Sequence, residues 1–329
     1  MTAPDDTPDT TAPDTPTAPR PLMPEPSTEA DWLAWRAQRE EDLREPNGWL
    51  SLTSLTWLDA APQAVPGFPG LWSARGSALP SADGEDWQAQ VLLPEDAGVA
   101  QDGAPVTGTV TLRLATGDSD RSLMCGDVQA EVAQRGGAVM VRIRNPLAPT
   151  RAAFHGVPAY GFSPEWIRPA RFTPDPAPHE FTVPSAQPGL TTRLTALGRV
   201  QVSLPDGSTV DLQVTGSPES PSVIFHDPTN GDETSGWRAA PVALPGSSVL
   251  ADEDGPAGPG RVPPISSAPS TTAGAQPVDG AWDALVDFNR STNFPAHFTA
   301  YGTCPTPPPG NDVPVAVTAG ERRPSPAAG

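Results

Sequence analysis

The chain contains no lysine: all 20 basic residues are arginine, and they stand against 39 Asp and Glu for a net charge of −19. A P-loop requires GxxxxGK[ST], a kinase-like nucleotide site requires a strand lysine, and Schiff-base chemistry requires an amine nucleophile. All three are excluded. Cysteine is nearly as scarce. Cys125 and Cys304 lie far apart, with no CxxC and no His/Cys cluster at metal spacing, so neither a disulfide framework nor a structural zinc is expected. Both read as reduced thiols. Also missing is any apolar run of about 18 residues, and the first thirty residues have neither a basic start nor an apolar core. The expectation is a cytoplasmic chain with no membrane partner. Nucleic acid is not expected as a partner either, because its affinity comes largely from counterions released by clustered cations. No GxSxG elbow, HExxH helix or Gly-rich phosphate loop is present.

What is present is mostly short and alternating. Residues 1–26 are acidic and Pro/Thr-rich, and so read as a disordered tail that cannot bury enough surface to offset its ordering entropy. Thr28 then stands three residues before Asp31, a capping-box spacing, and Trp32, Trp35, Arg39 and Leu43 follow at steps of three and four. Pro46, Asn47 and Gly48 end that helix. Thereafter the period falls to two. WLSLTSLTWL (49–58), WQAQVLLP, VTGTVTLRLAT, SLMCGDVQAEV, AVMVRIR, EWIRPARFT, HEFTV, SVIFHD, ALVDFN and a final VPVAVTAG (313–320) all read as strands. GRVQVSLPDGSTVDLQVT reads as a hairpin about Asp206-Gly207. The fold class predicted is mainly β, an antiparallel sandwich or distorted barrel with one N-terminal α-helix and long loops. Residues 27–320 read as one β-rich domain, with two lobes possible at that length. It is interrupted by a flexible Pro/Gly/Ser-rich loop at 241–280 and followed by a tail at 321–329.

Residues 285–311, LVDFNRSTNFPAHFTAYGTCPTPPPGN, are the most distinctive part of the chain. They resemble the C-terminal signature of the DUF1684 family of uncharacterised bacterial proteins, whose members carry a run like DFNxAxNPxxAFTxYxTCPxPPxxN. Three denser stretches are similar to the family: WRAQREEDLREPNGWLSLTSLTWL (35–58), RIRNPLAPTRAAFHGVPAYGFSPEWIRPARFTP (142–174), and FHDPTNGDETSG (225–236) joined to the signature. The resemblance implies a domain without implying an activity. Ser235 stands where members often have tyrosine, Ala296 where many have a second cysteine, and His297 where alanine is usual. A two-thiol site is therefore not expected here.

Two constellations are candidates for function. Arg142, Arg144, Arg151, Arg168 and Arg171 fall within thirty residues, in a stretch from 140 to 200 where seven arginines face three acids. Arginine's planar fork suits carboxylate or phosphate, and in a strand Arg142 and Arg144 point to one face. This pattern points to a pocket for a small anionic ligand or a protein partner, or else to pairing with acids elsewhere in the fold. The second constellation is Asp227, Asp287, Asn289 and His297 at the rim of a sheet, where converging polar groups polarise water or hold a metal in a hydrolase-like enzyme. Asp227 and Asn230 equally suit a turn cap. Cys304 as a nucleophile is the weakest candidate. The residues name no cofactor.

Overall fold

The structure, a computed structural model, describes residues 26–76, 87–244 and 280–324. The N-terminal tail up to residue 25, most of the 241–280 stretch and the last five residues lie outside this set. Helix α1 (Glu29–Leu43) forms as its spacing predicts: the Thr28 hydroxyl accepts from the Asp31 N–H, and the Thr28 N–H donates to the Asp31 carboxylate at 2.9 Å. These bonds satisfy donors that a helix start leaves open. Of its apolar residues, Trp32 and Leu43 are buried and Leu33 is exposed.

Among the described residues, ten strands follow: β1 (Leu52–Trp57), β2 (Gln63–Val65), β3 (Phe68–Gly76), β4 (Trp87–Leu93), β5 (Val99–Gln101), β6 (Ala104–Pro105), β7 (Gly108–Leu114), β8 (Ser119–Cys125), β9 (Val128–Arg135) and β10 (Ala138–Arg144). They form a six-stranded sheet in the order β1-β10-β9-β8-β5-β6 and a four-stranded sheet in the order β2-β3-β4-β7. The two sheets share one core that includes Trp72, Val91, Leu112, Val132, Val141 and Ile143. After a short helix α2 (Pro149–Ala152) come β11 (Ile167–Pro184), β12 (Thr191–Ser203), β13 (Thr209–Ser217), β14 (Ser220–Phe225), β15 (Arg238–Ala243) and β16 (Trp282–Asp287), which close into a barrel. Phe172, Val200, Leu212, Phe225, Val286 and Phe288 fill it. All strand pairs are antiparallel. The fold is thus mainly β, with one N-terminal helix and one closed six-stranded barrel. No helix among the described residues is long and apolar enough to cross a membrane.

Several local expectations are corrected. WLSLTSLTWL opens with a 3-10 turn at Trp49–Ser51, because the Ser51 hydroxyl and N–H both turn back to the Gly48 carbonyl. SLMCGDVQAEV is not one strand but two, β8 and β9, joined at Gly126-Asp127. EWIRPARFT opens in a 3-10 turn at Pro164–Trp166, and its remainder and HEFTV lie in the single strand β11, whose register with β12 breaks between Pro174 and His179. Pro174, Pro176 and Pro178 have no N–H to give a ladder there. Strand β15 runs through Ala243, past the point where linker composition begins. Strands β2, β3, β5 and β6 went unread, being short or interrupted by Pro and Gly.

The largest correction concerns VPVAVTAG. Val313, Val317 and Ala319 are buried, as alternation predicts, yet the segment forms no strand. Single main-chain bonds to His226 and Tyr160 hold its ends, and side chains hold its middle: the Val317 N–H donates to Asp227 Oδ2 at 2.8 Å, and Arg238 donates to the carbonyls of Val317, Ala319 and the following Glu321. Pro314 has no N–H to offer a ladder.

Candidate functional site

Arg142 and Arg144 do point to one face, as strand geometry requires, and they meet a shared carboxylate there. That carboxylate is internal. In the β9–β10 register Arg142 sits opposite Glu131. Arg142 Nη2 reaches Glu131 Oε1 at 2.5 Å, and Arg144 donates through Nε and Nη2 to Oε2 at 2.8 and 2.6 Å. All three side chains are at most 2% exposed. Burial works against the Glu131 anion, but Arg142, Arg144 and the half-exposed Arg121 outweigh it and hold the carboxyl far below its usual range. Burial pulls Arg144 down to about 10, against the pull of Glu131. Each of the two guanidiniums lies 5.0 Å from the centre of the Trp49 ring. Even so, Nε and Nη1 of Arg142 have no acceptor. The positive charge of Arg142 also acts to lower the Cys304 thiol in the terminal signature, against the larger effect of burial.

The other three arginines of the set are engaged separately. Arg151 donates to the carbonyls of Arg44, Glu45 and Pro146. Arg168 bonds the carbonyls of Ser203 and Glu165, and Arg171 pairs with Asp283 at 2.6 Å. The expected five-arginine pocket is therefore not assembled: two of the set share Glu131, and three are used one by one across the fold.

The polar residues of the second constellation are absorbed in holding irregular backbone. Asp227 accepts from the Thr229 hydroxyl, from Val317 N–H and from Arg238 Nη2 at 3.1 Å, and neither side chain of that ion pair is exposed. Asp287 accepts from Ser27 Oγ and from the Asn289 backbone and amide N–H groups. Burial raises its pKa, with those bonds opposing. Asn289 spans the Ser163 peptide, accepting from its N–H and donating to its carbonyl, each at 2.9 Å. Asn311 does the same at Gln213 and also donates to the Ile224 carbonyl, while Asn293 donates to the Arg322 carbonyl. His297 stands apart from these acids, with its ring 4.6 Å from that of Trp237. Asp227, Asp287, Asn289 and His297 thus do not form one water-polarising cluster. Among the described residues no group of three His, Cys, Asp or Glu side chains is placed to hold a metal.

Helix α1 seats on this network. Trp32 Nε1 donates to the Asn289 carbonyl, Arg39 pairs with Glu321, and Glu321 in turn accepts the Asn293 N–H. A cleft with about 230 Å³ of empty volume, its open mouth included, lies between Arg36, Arg39 and Glu40 on the helix and Asn289, Gly320 and Glu321 beneath. Glu321 itself is buried.

These interlocked segments, 225–238, 285–297 and 311–322, fall within the region that the comparisons recognise. Residues 152–252 and 271–322 match DUF1684, described as a protein of unknown function. The chain belongs to the DUF1684 family. A comparison with curated proteins finds no match. Among solved structures, the chain is similar to the solution NMR structure of an uncharacterized protein from Haloarcula marismortui, at 22% identity and a TM-score of 0.35, covering 52% of this chain and 78% of that one.

Sequence reasoning missed Glu131, Arg238, Trp237 and Glu321. Glu131 had a readable signal: it is the one acid of the β9 run, and a β9–β10 hairpin closed at Gly136-Gly137 sets it opposite Arg142. Arg238, a lone cation opening the apolar run of β15, also carried a signal, because a cation in such a run needs a partner.

Proposed function

We propose that this DUF1684 chain is a noncatalytic binding module for a small anion, seated at the buried guanidinium of Arg142 beside Glu131 and Trp49. The observation that carries the reading is a guanidinium 1% exposed whose Nε and Nη1 have no acceptor. A buried cation is costly unless paired and fully bonded. Arg142, Arg144 and Arg121 draw on one carboxylate, Glu131, so an added anion offsets the surplus. The depth of the site favours a compact species such as chloride. The hydrolase reading has less support, because Asp227, Asp287 and Asn289 are engaged internally and burial pushes the Cys304 thiol up to about 11, leaving it protonated at neutral pH. Two free thiols, Cys125 and Cys304, suit a reducing cytoplasmic setting.

The test is thermal unfolding in sodium chloride against sodium gluconate at equal ionic strength. A ligand bound only by the native state raises the melting temperature. The wild type is expected to melt higher in chloride, and Arg142→Gln to melt alike in both salts. Chloride NMR line broadening that the wild type shows and a non-binding control lacks gives a second readout. Equal melting of the wild type in both salts, with no broadening, overturns the reading.

A further inference from the structure

A different set of unpartnered groups lies where the start of β15 runs beside the signature. The Ala239 N–H donates to the Thr292 carbonyl at 3.1 Å, and the Thr292 N–H returns a bond to Ala239 at 2.9 Å. The two segments are therefore antiparallel, which brings residues 235–237 alongside 294–297. Three half-buried rings meet there. The Trp237 ring is 6.4 Å from that of Phe294 and 4.6 Å from that of His297, in an edge-to-face pair.

The protons of this group can be assigned. The Phe294 backbone N–H donates to His297 Nδ1 at 3.2 Å. Nδ1 is therefore the acceptor nitrogen of a neutral imidazole, and Nε2 carries the hydrogen. Nε2 is shielded and has no partner, and the same holds for the indole Nε1 of Trp237. Ser235, 4% exposed, has an unpartnered hydroxyl two residues before Trp237. No charged group contributes to the titration of His297, which burial alone perturbs. The acceptor these N–H groups lack has to come from outside the cluster. Gly236, next to Trp237, is exposed, so the group borders solvent there.

We propose that Trp237, Phe294 and His297 form a binding site for a carboxylate carried on an apolar body. The two ring N–H groups meet the carboxylate oxygens, and the aromatic faces cover the body. This combination of apolar walls with a few fixed donors is typical of small-molecule sites. None of these groups bonds Arg142, Arg144 or Glu131, so the proposal does not rest on that cluster.

Benzoate is the probe, followed by NMR of the Trp237 indole N–H and the His297 ring signals in the full chain. Benzoate is expected to move the Trp237 indole resonance downfield with saturation, and to raise the pH midpoint of His297 by at least one unit. Trp237→Phe and His297→Phe keep an aromatic ring while removing one donor each, and each is expected to weaken benzoate binding tenfold or more. Arg142→Gln is expected to leave benzoate binding intact, which separates this site from the chloride test. Should that variant not fold, chloride at saturation on the wild type serves instead, and benzoate binding is expected to persist. Unmoved Trp237 and His297 signals at 50-fold benzoate excess overturn the proposal, and so do Phe variants that bind as well as the wild type. A response equal for benzoate and cyclohexanol also overturns it, since the carboxylate then contributes nothing.

Discussion

Asp227 and Arg238 face each other in the interior, Oδ1 to Nη2 at 3.1 Å, with no part of either side chain exposed. Asp227 lies two residues past the end of β14 and caps the turn that follows, while Arg238 opens β15 and donates to three carbonyls of the C-terminal segment. The pair is the internal support on which residues 313–321 lie without a strand ladder.

Asp227→Asn leaves Arg238 buried without its counter-charge, and breaking such a pair costs about 3–5 kcal/mol. Chemical denaturation should show that loss as a lower midpoint. A variant that unfolds like the wild type would mean that Asp227 is spare for chemistry.

The same argument applies to Glu131, the one carboxylate bonded by both Arg142 and Arg144. Glu131→Gln should destabilise by about 3–5 kcal/mol. It should also steepen the dependence of stability on chloride, because the surplus positive charge grows. Glu131→Gln together with Arg144→Met should cost less than the sum of the single changes, and a double-mutant cycle measures that coupling.

How far the sequence disclosed this arrangement depends on whether a feature is local. The capping box of α1, the Asp206-Gly207 hairpin and the alternation of β4, β7 and β10 are properties of neighbouring residues and were legible. Arg142 and Arg144 were rightly set on one face, since that needs only a period of two. Their partner was not legible, because it required the β9–β10 pairing. Asp227, Asp287 and Asn289 stand out in the sequence as candidates for a polar site, but their partners Arg238, Ser27 and Ser163 lie up to 260 residues away. VPVAVTAG shows the limit of periodicity: its alternation correctly reported burial, while its backbone partners include the side chains of Asp227 and Arg238 alongside single bonds to the main chain of His226 and Tyr160. Gly320, at φ +78°, would meet Ser291 Cβ at 2.6 Å if it carried a Cβ, and that close approach too arises from chain segments distant in sequence.

Asn289→Ala tests how the helix is tied to the barrel. It removes both bonds to the Ser163 peptide and leaves that buried backbone unsatisfied, at about 1–3 kcal/mol. Trp32→Phe, which deletes the bond to the Asn289 carbonyl, should cost about 1 kcal/mol. Hydrogen exchange is expected to accelerate in α1 in both variants while strands β3, β4 and β7 keep their protection.

Acid should loosen the signature before it reaches the carboxylate network. Burial among Trp237 and Phe294 lowers the pKa of His297 from 6.5 to about 4. The unfolded chain therefore binds a proton at this residue at higher pH than the folded chain. Its contribution to stability is complete above pH 6.5 and falls as the pH drops toward 4. At ~1.4 kcal/mol per pH unit the whole span amounts to about 3 kcal/mol. Glu131 has the same sign in a lower window: its folded pKa lies below the ordinary 4.5, so its contribution is complete above that value and is lost only under stronger acid. Denaturation midpoints measured from pH 7 to pH 4 should decline in the wild type and decline less in His297→Phe, with the two curves converging as the pH falls. Parallel curves would show that His297 is protonated equally in the folded and unfolded chain, and that its ring is not shielded from water as the Trp237 stack requires.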